Sequence, residues 1–506
     1  MATQNEITGR LLTRNWALNL VGQTVALLVA LPTIPYTVRG LGPERFGILS
    51  IAWVLLGYFG LFDLGLGRAT TKFVAECLSL GDTKRMTALV WTSLWSQVLF
   101  GAMGALIAVA ATPVAVHRFL NISPSLIGET QATFFILAGS LPLVLAANAL
   151  RGVLEAGQHF AVVNYVRVPA NASIFVLPAV ALMFGAKLPA IVWLLVLARV
   201  GAALAYLWFC LRLFPALRRT FAIDPRMVRP LLVYGGWVTV SSIVAPLLSY
   251  LDRFAVGSVI SMAAVGYYTV PSEMITRLQV VPSSLSATVF PAFSSLDATA
   301  SLTKLEELCV RSLKALFLTL GPLSLLVILF ARQILQLWLG ADFAVKGAPV
   351  LQILAAGALV NALSFVPFGM LQALGRPDLT AKFHMLELPL YAALLWFLLA
   401  RMGITGAAVA WTIRVCLDAA LLFGAVVRLR WVSLGSLCGN GLLRAACTIL
   451  IFAALLSFPW LALGSMKVEL VFAGVLFPAF GLTAWKYLLD GRERHLLLSA
   501  FVARAR

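Results

Sequence analysis

Glu273 and Arg277 stand four residues apart in the apolar run MAAVGYYTVPSEMITRL, so a helix places both on one face. An arginine there can hold an anion through charge-assisted bonds. A glutamate beside it can take up a proton or cation that competes for the same arginine. A buried ion pair that staples one helix is the other use of this spacing. Arg414 and Asp418 repeat it, and Arg199 lies 215 residues before Arg414 at a similar depth, which reads as a structural arginine used once in each half. Asp418 is also a candidate for ion coupling. Asp252 and Arg253 are adjacent and point to different helix faces, which makes Arg253 a candidate ligand-binding residue and lets Asp252 reach outer water. Asp63 and Arg68 belong to GLFDLGLGR, where Gly60, Gly65 and Gly67 permit a bend or close backbone approach. That suits an inner gate, with Asp63 a further ion-coupling candidate, or else a capped helix end. Arg332 and Glu387 read as snorkelling or pairing residues. Asn15, Asn19 and Gln23, each four apart, can line a binding path or bond to neighbouring helices.

These charges stand out against the rest of the chain. Of 506 residues, 61% are hydrophobic and 11% charged, less than half the charged fraction of an ordinary soluble domain. At roughly twenty residues per crossing, such a chain is an all-α polytopic membrane protein. Apolar runs lay out about fourteen spans, starting near Asn15, Phe46, Met86, Gln131, Phe160, Leu188, Leu231, Ala264, Leu313, Pro349, Thr380, Gly406, Gly441 and Lys467. A charge at the bilayer centre costs at least a few kcal/mol, so each one inside a span faces a partner or a cavity. The six cysteines include no C-x-x-C pair and the four histidines no helical metal-ligand pair, so neither a disulfide framework nor a metal site is expected. No lysine follows a glycine, which excludes a Walker A loop and a built-in ATPase. No cofactor is implied. The N-terminus MATQNEITGRLLTRNW carries no small-residue cleavage site, so the first apolar run is expected to stay as a span.

The net charge of +18 would suggest nucleic acid in a soluble protein. Here it is distributed as a topology signal, and no nucleic-acid partner is expected. With fourteen spans, connections on the side of the termini carry 25 Lys and Arg, against 7 on the other side and six arginines within spans. The positive-inside rule then puts both termini in the cytoplasm. Every outward connection is short, the longest running from about Pro113 to Thr130, which leaves no place for the outer domain of a polymerase or ligase. The tail DGRERHLLLSAFVARAR suits either an amphipathic helix on an anionic leaflet or an ordinary basic tail.

An internal repeat organises the spans. Gly47 in GPERFGILS is matched 219 residues later by Gly266 in MAAVGYYTV. Gly152-Val-Leu-Glu-Ala is echoed by Gly369-Met-Leu-Gln-Ala at an offset of 217, and Arg199-Val200 by Arg414-Val415 at 215. Two six-helix lobes of the same direction follow, at 1–212 and 213–430, with two further spans and a basic tail at 431–506. A parallel repeat of this kind makes a central cleft, and a path between rocking repeats is the physics of a secondary transporter.

NWALNLVGQ, LGPERFGILSIAWVLLGYFGLFDLGLGRATTKFVAE, SYLDRFAVGSVISMAAVGYYTVPSEM and GMLQALGRPDLTAKF together resemble the polysaccharide-biosynthesis transporters. These are the Wzx-type flippases of lipid-linked O-antigen and capsule units, in the multidrug/oligosaccharidyl-lipid/polysaccharide (MOP) exporter superfamily. The resemblance covers essentially the whole chain. It implies a fourteen-helix, two-lobed bacterial inner-membrane protein that is not an enzyme. The cargo it implies is a polyprenyl-diphosphate-linked oligosaccharide, moved from the cytoplasmic to the periplasmic leaflet. On that resemblance Arg277 and Arg253, with Asn19 and Gln23, are expected to contact cargo. A proton or sodium ion is expected at Glu273, Asp63 or Asp418, and Arg68, Arg199 and Arg414 are expected as structural or gating charges. The alternatives are a drug antiporter of the same superfamily and a polymerase or ligase of lipid-linked sugars. Span arginines that match or outnumber the acids favour an anionic cargo over a cationic drug.

Overall fold

The computed structural model describes residues 9–58, 65–295, 302–437, 440–462 and 466–488. All regular structure among them is helical. The first group comprises α1 (Gly9–Tyr58), α2 (Leu66–Leu80), α3 (Thr83–Val114), α4 (Ile127–Ala156), α5 (Phe160–Met183), α6 (Leu188–Leu213), the single turn α7 (Ala216–Arg219) and α8 (Val228–Val259). There follow α9 (Met262–Leu278), α10 (Val280–Ser295), α11 (Leu302–Leu339), α12 (Ala341–Ala373), α13 (Pro377–Met402) and α14 (Ile404–Arg428). The single turn α15 (Leu434–Leu437), α16 (Asn440–Ala462) and α17 (Met466–Thr483) complete the series. Among the described residues, eight helices are long and apolar enough to cross a membrane: α3, α4, α5, α6, α11, α12, α13 and α14. Their outward faces carry Leu106 at 71% exposure and, on α16, Leu450 at 68%. Water would not tolerate such a surface and lipid does.

Local chemistry sets the breaks. α1 holds two spans in one helical run, broken at Gly42, whose φ of 75° and ψ of 166° reverse the chain; Pro43 then opens the second span with a φ already suited to a helix. Between α2 and α3 the turn is made by Asp82, whose side chain accepts the Arg85 N–H at 3.0 Å as the N-cap of α3. Hydroxyls inside the spans bond back one turn, as Ser96 does to the Thr92 carbonyl at 2.7 Å and Thr130 to that of Leu126 at 2.8 Å. Polar side chains thereby enter the membrane with their donors satisfied.

The chain divides into two compact units, Met1–Thr269 and Val270–Arg506. In the first, α3 packs on α4, α4 on α6, α5 on α6 and α2 on α4. The second unit repeats the scheme with α11 on α12, α12 on α14, α13 on α14 and α10 on α12. The parallel repeat read from the sequence is thus a repeat of packing partners. The core of the first unit gathers Leu66, Val74, Leu150, Leu154 and Cys210, and that of the second Phe293, Leu305, Val366, Met370 and Leu422. α16 adds to the second unit by packing on α11 and α17, with Ile449, Phe452 and Phe480 between them.

One end of the first unit is knit by the connection between α3 and α4. Asn121 donates its side-chain N–H to the Ile260 carbonyl at 2.7 Å, and its backbone pairs with Gly257 and Met262. The Ser123 N–H bonds to Glu44 at 2.8 Å. Glu129 accepts from Arg45 at 3.1 and 3.2 Å and from the Leu188 backbone N–H at 3.0 Å. The connection is a tie between helix ends and carries no domain of its own.

Candidate functional site

α9 carries the four-residue pair expected from its spacing. The Arg277 Nη2 lies 3.4 Å from Glu273 Oε2, and the two side chains keep 32% and 22% of their surface open. Gln279 interrupts the helix directly after this pair and α10 resumes at Val280, so the charges sit near the middle of the α9–α10 run. A guanidinium held by one carboxylate and still partly open can exchange that partner for another anion.

In the first unit, the end of α8 holds a buried polar group. Asp252 accepts the Tyr268 hydroxyl of α9 at 2.6 Å, and Asp252 and Arg253 are 2% and 3% exposed. Asp252 therefore does not reach outer water, as its position near the end of a run had suggested, because α9 folds back over it. The Arg253 guanidinium lies over the Tyr250 ring, 5.0 Å from its centroid, where a cation is held by the ring quadrupole. Tyr268 was missed in the sequence. Nothing local marks it, since the partners are sixteen residues apart and meet only when α8 and α9 pack.

Arg199 on α6 lies half-buried, within electrostatic range of Arg151 and Tyr206. Arg68 on α2 is exposed. Arg414 and Asp418 on α14 make no ion pair with each other despite their spacing. The Arg414 guanidinium instead lies 5.9 Å from the Tyr391 ring of α13, its Nε without a hydrogen-bond partner. Asp418 is 7% exposed, and its Oδ1 has no hydrogen-bond partner. Glu387 on α13 is fully buried, which excludes snorkelling, and stands one turn from Tyr391, as Asp418 stands one turn from Arg414 on the facing helix. Asp63 lies outside the described residues, as do the side chains of Asn15, Asn19 and Gln23. No group of three or more metal-ligating side chains forms among the described residues.

The fold defines a class. The backbone matches the lipid II flippase MurJ in an inward closed conformation with a TM-score of 0.71 at 10% identity, covering 94% of this chain and 100% of that one. It matches an inward-facing multidrug resistance MATE family transporter of the MOP superfamily with a TM-score of 0.66 at 15% identity, over 81% and 94% of the two chains. The architecture is that of the MOP transporters. Residues 12–297 match the family described as "Polysaccharide biosynthesis protein", and the chain belongs to that family. A Shigella flexneri protein named for O-antigen transport is 32% identical over 81% of this chain and 96% of its own length. A Haloferax volcanii protein named as a flippase of low-salt glycan biosynthesis is 23% identical over 74% and 75%.

Proposed function

We propose that this multi-pass membrane protein flips a polyprenyl-diphosphate-linked oligosaccharide from the cytoplasmic to the periplasmic leaflet of a bacterial inner membrane by alternating access, with both termini in the cytoplasm. Family membership and the relatives named for O-antigen transport and glycan flipping support a transporter of lipid-linked sugars and count against an enzyme. The observation that carries the cargo assignment is the open Glu273–Arg277 pair near the middle of the α9–α10 run. In the empty protein, Glu273 holds Arg277; an incoming diphosphate displaces it, because two phosphates offer the planar guanidinium more charge and a bidentate match. A proton or sodium ion drives the cycle through one of the span acids. A ligand shifts the transporter between states only as far as its affinities for them differ.

The test is flipping of a labelled lipid-linked oligosaccharide in reconstituted vesicles. Wild type moves the lipid, Arg277→Ala at matched reconstitution does not, and Arg277→Lys, which keeps the charge and loses the fork, recovers part of the rate. Normal flipping by Arg277→Ala would remove α9 from cargo binding.

A further inference from the structure

We propose that Glu387 and Asp418 form a binding site for one shared proton in the middle of the second unit, and that this is the proton whose uptake and release couples transport to a gradient. The coupling role rests on the flippase reading above; the proton site itself does not.

Glu387 is the eleventh residue of the 26-residue α13, and Asp418 the fifteenth of the 25-residue α14. Both therefore sit at mid-depth in helices long and apolar enough to cross the membrane. Glu387 is fully buried, and neither of its carboxyl oxygens has a hydrogen-bond partner; Asp418 Oδ1 has none either. Arg414 of α14 lies over the Tyr391 ring of α13, and in these two antiparallel, packed helices one turn further along brings Glu387 opposite Asp418. As carboxylates both are acceptors only, so the contact is two orphaned acceptors and a like-charge clash. One proton turns it into a donor and an acceptor.

The charge count asks for the same proton. The cations and titratable groups that face the pair are Arg414 of α14 and His384 and Tyr391 of α13. α12, the other helix packed against α13 and α14, carries only Asp342 and Lys346 as charged residues, and these pair with each other at 2.9 Å near its start. Glu387 and Asp418 as carboxylates against Arg414 leave one net negative charge at mid-membrane. A single proton brings the cluster to zero, the inexpensive state in that setting.

The sequence repeat points the same way. Arg199 and Arg414 hold equivalent places, but four residues on the first half has Ala203 where the second has Asp418. The acid is therefore an addition to one half, not part of a staple common to both. Glu273 differs in having Arg277 beside it at 3.4 Å, with both side chains partly open. On uptake, water delivers the proton and an O–H bond forms on one carboxyl, pointing at the other; on release it returns to water.

The experiment has two readouts on the reconstituted full chain. Infrared difference spectra between low and high pH should show the carbonyl stretch of a protonated carboxylic acid in wild type, lost in both Glu387→Gln and Asp418→Asn. Each variant mimics the neutral acid in size, so the fold is kept, and thermal unfolding in detergent confirms it. Flipping of the labelled lipid-linked oligosaccharide should respond to an imposed proton gradient in wild type and lose that response in Glu387→Gln and Asp418→Asn. Arg277→Ala should stop flipping while keeping the infrared band, which separates failure of the cargo reading from failure of this one. A band that persists in both acid variants, or a gradient response that survives in them, overturns the proposal. So does a response to sodium in place of protons.

Discussion

Gly47 and Gly266 each lie against the backbone of the other's helix. A Cβ on Gly47 would fall 1.8 Å from the Met262 carbonyl oxygen, and one on Gly266 would fall 2.5 Å from that of Pro43. Met262 stands four residues before Gly266, as Pro43 does before Gly47, so the contact is reciprocal about a local two-fold axis. The same two glycines are the first match of the internal repeat in the sequence.

Backbone cannot retreat from a methyl group as a flexible side chain can. Gly47→Ala and Gly266→Ala should each destabilise the protein by about 1–3 kcal/mol, the usual cost of overpacking. Thermal unfolding in detergent should show lower midpoints for both. Gly201→Ala, where a Cβ meets open space, should leave the midpoint unchanged or raise it through better helix propensity.

Glu129 joins Arg45 of α1 to the start of α6 at the Leu188 N–H. Its side chain is 13% exposed, so removing it leaves a backbone donor and a guanidinium short of an acceptor. Glu129→Ala should cost about 1–3 kcal/mol on the scale of such losses. The Lys346–Asp342 pair is about half exposed on both sides, and Lys346→Ala should change stability by no more than about 0.5 kcal/mol. Equal midpoint shifts for the two variants would show that Glu129 holds nothing beyond a surface charge.

Glu273→Gln removes the internal competitor of Arg277 while keeping its size. Apparent affinity for the lipid-linked oligosaccharide should rise, and turnover should fall as release slows. Binding titrations with a soluble diphosphate analogue, run beside the flipping assay, separate the two effects. A lower affinity would mean that Glu273 orients Arg277 for the cargo instead of competing with it.

Ile223 lies in the basic stretch between α6 and α8 and is 46% exposed, while Val345, near the start of α12, is 62% exposed. In a cysteine-free background, Ile223→Cys should react with an impermeant maleimide only from the cytoplasmic side and Val345→Cys only from the periplasmic side. A reporter at the C-terminus should report the cytoplasm. The opposite pattern at either cysteine would overturn the proposed orientation.

What the sequence made legible was local. The expected span starts and the Glu273–Arg277 pair depend on residues a turn or less apart. Relations set by packing were hidden. Asp252 finds Tyr268 only when α9 folds over α8, and Arg414 finds the Tyr391 ring only when α14 packs on α13. The four-residue spacing gives no ion pair at Arg414, whose guanidinium lies against the Tyr391 ring of the neighbouring helix. Glu387 was legible as a charge inside a span, read as snorkelling or pairing, and its full burial removes the first of these uses.

The single-residue link at Gly42 bears on how the protein is made. Arg39 and Arg45 flank it closely, and in the proposed orientation both are carried across the membrane against their natural bias. Neither span of α1 has a loop long enough to be translocated alone and wait for its partner. The two must therefore enter the bilayer together as a helical hairpin, with the second span's Phe46–Leu56 stretch helping to pull the arginines of the tip across. A nascent chain halted just after Arg45 would lack that pull, so the commitment to topology falls in the synthesis of the dozen residues that follow.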